Sequence, residues 1–170
     1  MTTRATAKRT PYTTIVLSGG FDPIHVGHVR MIRAGAELGN VIVVANSDAW
    51  LMRKKGYIFM PWDERAEIIR SIVGVHDVVE VDDSDGTVCE VLERLKPNMF
   101  GNGGDRTNKN TPEMALCKRL GIEMVWSLGG GKIQSSSDLV KDAGLQPPID
   151  YEADLEPVKS IILRGKNSET

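Results

Sequence analysis

Five short apolar runs punctuate the chain, and polar, helix-patterned stretches separate them. Ile15-Val16-Leu17 leads into Ser18, and Val41-Ile42-Val43-Val44-Ala45 is uninterrupted, as expected of a strand buried on both faces. Val78-Val79-Glu80-Val81, Asn98-Met99-Phe100 and Ile122-Glu123-Met124-Val125-Trp126 complete the set. Between them the apolar positions move to helical spacing. Residues 27–38 carry Val29, Ile32 and Ala36 on one face. Pro61 and Asp63 open a segment bearing Ile68, Ile69, Ile72 and Val73. Residues 87–95 form a third helix, stopped by Pro97, and Thr111-Pro112 start a fourth that Gly121 ends. Alternation at this spacing predicts an α/β fold, a doubly wound, five-stranded parallel sheet with right-handed crossovers.

Length sets the boundaries. The 170 residues suffice for one domain with a true core, over 15–141. Residues 1–14 hold Arg4, Lys8 and Arg9 with no acid, and are expected to be a disordered basic tail. Residues 142–170 contain Gln146-Pro147-Pro148 and a weakly apolar segment at 158–163, and are expected to form a C-terminal helical extension. A formal net charge of −2 gives no reason to expect nucleic acid as a partner. No apolar run approaches the roughly 20 residues of a membrane span, and no signal-peptide core lies near the start. Cys89 and Cys117 fall in expected helices without metal-type spacing, so they read as small buried hydrophobes in a reducing cytoplasm.

The chemistry gathers in the loops. Ser18-Gly19-Gly20-Phe21-Asp22-Pro23-Ile24-His25-Val26-Gly27-His28 spans a strand-to-helix turn. In a parallel sheet that turn lies at the carboxyl edge, where such folds bind ligands. Glycines there admit a close phosphate, and a helix start offers free N–H groups to an anion. A basic loop, Arg53-Lys54-Lys55-Gly56, follows the second strand, and Gly101-Asn102-Gly103-Gly104-Asp105-Arg106 follows the fourth. The topology brings all three to one crevice. After the fifth strand, Gly129-Gly130-Gly131 leads to Ser135-Ser136-Ser137, residues suited to a helix cap or to a triphosphate.

The stretch 20–28 resembles the HxGH signature of nucleotidyltransferases with the cytidylyltransferase-like, Rossmann-like fold. The resemblance covers roughly residues 15–141, and is similar in order to the adenylyltransferase domain of ADP-heptose synthases and to glycerol-3-phosphate cytidylyltransferases. Beyond the first block it rests on Asn46-Ser47-Asp48-Ala49 with Asp63-Glu64-Arg65, on Gly103-Gly104-Asp105, and on Ser135-Ser136-Ser137-Asp138-Leu139. There are departures. Met52 stands where the family's first loop lysine aligns, Gly130 and Lys132 replace the arginine and acid before the last serine block, and Asn102 stands where heptose enzymes often carry lysine. Nicotinate-mononucleotide and phosphopantetheine adenylyltransferases share pieces of the pattern and remain alternatives. So does a nucleotide-binding module without turnover.

The resemblance implies transfer of AMP or CMP from a nucleoside triphosphate to a sugar or polyol phosphate, releasing pyrophosphate. It implies His25 and His28, with Lys54 or Lys55, as catalytic residues. Gly19, Gly20, Phe21, Asp22, Arg65, Gly104, Asp105, Ser135, Ser136 and Ser137 are the implied nucleotide contacts. Mg²⁺ is expected to arrive on the triphosphate, and the chain to pair as a homodimer. His76, Trp50, Trp62 and Trp126 read as structural.

Overall fold

The computed structural model describes residues 12–104 and 111–144. Five strands, β1 (Thr14–Gly19), β2 (Asn40–Ala45), β3 (Val75–Val79), β4 (Met99–Gly103) and β5 (Glu123–Leu128), form one parallel sheet in the order β3-β2-β1-β4-β5. The winding reverses at β1, whose neighbours are β2 and β4, so a crevice opens beyond the carboxyl ends of β1 and β4. Among the described residues six helices connect and follow the strands: α1 (Val26–Leu38), α2 (Asp48–Lys55), α3 (Trp62–Arg70), α4 (Cys89–Leu95), α5 (Pro112–Leu120) and α6 (Ser136–Asp142).

Strand alternation divides the core between two faces. Ile15, Leu17, Val41 and Val43 pack with Ile32 of α1 and Ile69 of α3. Val16, Val44 and Phe100, from the intervening positions, pack with Val91 and Leu92 of α4 and Leu116 and Cys117 of α5. Cys117 is buried and Cys89 half-buried, and both thiols are free. Burial is the first cause that pushes both above the ordinary thiol range, Cys117 to about 11.

Two elements differ from the sequence expectation. The basic stretch at 53–56 is not a loop after β2: Arg53, Lys54 and Lys55 form the last turn of α2. Ser47 caps that helix by accepting from Trp50 N–H, Asp48 sits in its first turn, and Gly56 closes it at a φ of 78°. Its apolar pattern is too thin to announce a helix, with Leu51 the one buried residue. The third strand lies at Val75–Val79 rather than 78–81. It is an edge strand, and the exposed His76 and Asp77 break the apolar run that marks a buried one. The basic tail falls outside the described residues except for its last three positions, and Thr14 already belongs to β1. The C-terminal extension lies outside them beyond Gly144.

Candidate active site

A cleft of about 930 Å³ occupies the crevice. The turn after β1, the start of α1, α2 and the loop between β5 and α6 all line it. The far wall is built from Thr87, Val88 and Glu113 at the starts of α4 and α5. Gly19, Gly20, Phe21, His25, His28, Lys54, Lys55, Gly104 and Ser135, Ser136 and Ser137 all line it. Asp105 lies outside the described residues.

His25 and His28 begin α1 as a reciprocal cap. Gly27 N–H donates to His25 Nδ1 at 3.1 Å, and His25 N–H donates to His28 Nδ1 at 3.2 Å. This is a capping box with imidazoles in place of the usual hydroxyl and carboxylate. It has a chemical consequence. A ring nitrogen that accepts from backbone carries no proton, so each neutral ring holds its proton on Nε2. The fold thereby presets two N–H donors. The rings stack at 3.8 Å between centroids, and the buried Phe21 ring backs His28 at 4.8 Å. Phe21 holds a φ of 50°, a conformation uncommon for a bulky residue. Gly27 is required between them: a Cβ there would sit 2.9 Å from His25 Cε1.

Burial, followed by the neighbouring His25 and Lys55, pulls the His28 pKa down to about 3. Burial and then Lys55 lower that of His25 as well. Both rings are therefore neutral donors at neutral pH.

Lys55 supplies the cation. Its Nζ donates to the Asp22 carbonyl at 2.9 Å, and a Cβ built on Gly20 would lie 3.8 Å from it. Burial lowers its pKa, Asp22 counteracts this, and Arg65 adds to it. Lys54, one residue earlier on the helix, is exposed at the rim. The structure thus places Lys55, not Lys54, beside the histidines.

Two residues expected at the nucleotide are instead internal struts, a correction to the sequence reading. Arg65 is fully buried. Its guanidinium donates to the carbonyls of Met60, Gly20 and Asn46 and to the Asp48 carboxylate at 2.6 Å. Four of its five N–H groups are thereby engaged within the fold. Asp22 is also fully buried, and its carboxylate accepts from Phe59 N–H at 2.7 Å and Met60 N–H at 2.6 Å. Neither charge is open to a ligand. Together they bind the turn after β1 to α2 and to the start of α3. Ser136 has a similar second duty, donating to the Pro23 carbonyl at 2.8 Å, while Ser135 caps α6.

Asp83 was missed as a strut. It is buried, and its carboxylate accepts from Asn46 Nδ2, Ser47 N–H and Ser47 Oγ–H at 2.6–3.0 Å. The acidic run around it masks it in the sequence. Trp50 and Trp126, read as structural, line the cleft, as does Asn102. Nothing in their spacing marks them, since strand parity and helix phase decide which way they face.

The fold and the crevice define a nucleotide-binding α/β domain, and comparison with known proteins narrows it. The cytidylyltransferase-like family pattern matches residues 16–166, and the chain belongs to that family of nucleotidyltransferases. It is similar to the bifunctional protein HldE of Streptomyces coelicolor, with 37% identity over 121 residues, 69% of this chain and 26% of that protein. It is also similar to the FAD synthase of Pyrococcus abyssi, with 33% identity over 94 residues, 54% of this chain and 63% of that one. The chain therefore spans about a quarter of the bifunctional relative and under two thirds of the FAD synthase. The lipopolysaccharide core biosynthesis protein of Thermoplasma volcanium shares the fold, with a TM-score of 0.56 at 21% identity over 68% of this chain and 93% of that one. Among the described residues no helix is long and apolar enough to cross a membrane.

Proposed function

We propose that the chain transfers AMP or CMP from a nucleoside triphosphate to a sugar or polyol phosphate and releases pyrophosphate. The observation that carries this reading is the preset donor pair, His25 and His28, with Lys55 beside it. A phosphate monoester has a second pKa near about 6, so at neutral pH it is already a dianionic nucleophile. One of its oxygens attacks the α-phosphorus. The bond from that phosphorus to the bridging oxygen breaks, and the electron pair leaves with pyrophosphate. No proton need be removed, and the protein's task is to orient the reactants and meet charge on the phosphate oxygens.

In this proposal the two Nε2–H groups donate to the α-phosphate and the leaving oxygen, and Lys55 bridges nucleophile and α-phosphate. Gly19, Gly20 and Phe21 present backbone to the nucleotide, and Gly104 and Asp105 meet its ribose or base. Ser135 to Ser137 hold the outer phosphates, Ser136 through its backbone N–H because its hydroxyl proton is given to the Pro23 carbonyl. Magnesium accompanies the triphosphate. Magnesium that rides on a triphosphate takes few protein ligands. The proposal extends to a homodimer in a reducing cytoplasm. The likeness to an FAD synthase supports a second reading, an adenylyl transfer to a flavin phosphate.

The test is pyrophosphate release with Mg²⁺ and each of ATP and CTP against heptose 1-phosphate, glycerol 3-phosphate and flavin mononucleotide. Release with one pair, lost in His28→Ala, supports the transfer. Tight triphosphate binding without release from any pair would mark a binding module instead.

A further inference from the structure

The cleft floor changes character along the strands. On the face covered by α4 and α5, Val16, Phe100 and Met124 belong to the core. Two residues further on, with the same parity, stand Ser18, Asn102 and Trp126, and all three line the cleft. The ladders pair Leu17 with Gly101 and Gly101 with Val125, and the β4–β5 register shifts between Gly101 and Gly103, so Asn102 stands at an irregularity of the sheet edge. Asn102 is 6% exposed, and its Nδ2 has no hydrogen-bond partner among the described residues. A buried amide donor left without a partner is destabilising. The torsion about Cβ–Cγ of Asn is broad, so the amide can turn its NH₂ end to an incoming group. Glu113 lines the same cleft, and one oxygen of its carboxylate accepts from Val88 N–H at 3.2 Å.

We infer that Asn102 reads the substrate: its amide donates to a hydroxyl of the phosphate acceptor, which lies between the floor and the wall of Thr87, Val88 and Glu113. The inference rests on the transfer reading above and names its acceptor class, a phosphomonoester with an uncharged, hydroxyl-bearing body. A hydroxyl is at once acceptor and donor, and this wing offers one group of each complementary kind, the Asn102 N–H and the Glu113 carboxylate. The phosphate end goes to Lys55 and the histidines. A neutral amide at Asn102 suits an uncharged oxygen better than a second phosphate.

The experiment measures pyrophosphate release with Mg-ATP and Mg-CTP on glycerol 3-phosphate and a hexose 1-phosphate. Propyl phosphate, which has no hydroxyl, serves as the reference. Wild type is compared with Asn102→Leu, of similar volume, and Asn102→Thr, which keeps a donor. Triphosphate affinity by calorimetry and Tm are followed in parallel. Wild type is expected to prefer a hydroxylated acceptor at least tenfold in kcat/KM. Asn102→Leu should erase that preference by raising KM about tenfold, with propyl phosphate use and triphosphate affinity unchanged, and Asn102→Thr should restore part of it. Tm should hold or rise in Asn102→Leu, because the orphaned amide is gone, whereas a purely structural asparagine would lower Tm and activity together. An equal loss on all acceptors, weakened triphosphate binding or a fallen Tm overturns the inference. So does silence with every polyol phosphate when triphosphate still binds and Lys55→Met weakens it, an outcome that leaves the transferase reading standing. Absence of triphosphate binding sinks that reading itself.

Discussion

Two charged clusters meet at the turn after β1, and they differ in what their hydrogen bonds already do. His25, His28 and Lys55 spend backbone contacts on being placed and keep donors in reserve: two Nε2–H groups, and an ammonium with one bond, to Asp22 O. Arg65, Asp22 and Asp83 are buried and bonded within the fold, to backbone groups of the turn and of the segment before α3 and to the start of α2. Five of the six sit in or beside the motif stretches, and Asp83 lies outside them. Charge in a motif does not identify a ligand contact; unspent hydrogen-bonding capacity does. The second cluster is the frame that lets the first be rigid without being satisfied.

The comparison breaks most visibly at the donors. His28→Ala is expected to lower kcat on the order of a hundredfold or more while circular dichroism and Tm report an intact fold. An active variant would remove His28 from the chemistry. Lys55→Met should lose a comparable factor, and Lys54→Met, at the exposed rim, less than about threefold. Equal losses at the two lysines would contradict the geometry that separates them.

The struts should respond in stability first. Arg65→Ala leaves Asp48 and three carbonyls without their donor, and is expected to cost about 3 kcal/mol, measured by urea denaturation. A stable Arg65→Ala variant with weakened triphosphate binding would return Arg65 to the ligand. Asp83→Asn sets an NH₂ against a site made of donors. A loss of about 1–2 kcal/mol is expected, with a several-fold lower kcat and unchanged triphosphate affinity, because Lys55 rides on the helix that Asp83 anchors.

The smallest effect is in pH. The His28 pKa is about 3 in the folded chain against an ordinary 6.5. The unfolded chain therefore takes up a proton that the folded one refuses. Stability is fully present above about pH 6.5 and declines as pH falls toward 3, with His25 contributing in the same direction. Urea midpoints at pH 7.5 and 5.5 should show this decline, and His28→Ala should flatten it. Bound triphosphate, an anion beside both rings, should raise their pKa values in an NMR titration.

Legibility followed pattern strength. The continuous run 41–45, the run before Ser18 and the periodic helices were readable because burial on two faces, or on one stripe, leaves a regular trace. The edge strand β3 left a trace only at its end, Val78-Val79, and was read too late in the chain, since His76 and Asp77 face solvent. Helix α2 carried its signals at the ends, Ser47 and Gly56, but almost no apolar stripe between them, and so passed for a basic loop. The site residues at His25 and His28 stood out through the spacing around Gly27. Asn102, Trp126 and Glu113 did not, because each comes from a different element and only their assembly makes a chamber.

By itself the sequence determined the parallel α/β architecture, the carboxyl-edge crevice and the histidine pair, because local periodicity and turn chemistry act over a few residues and leave their mark there. Tertiary structure decided which charges are spent. It closed Arg65, Asp22 and Asp83 into the frame, left Lys55 beside the histidines and Lys54 outside, and left the Asn102 amide unpaired on the cleft floor. A residue's partners arrive from distant segments, and only the packed fold says whether a donor has met its acceptor or still lacks one.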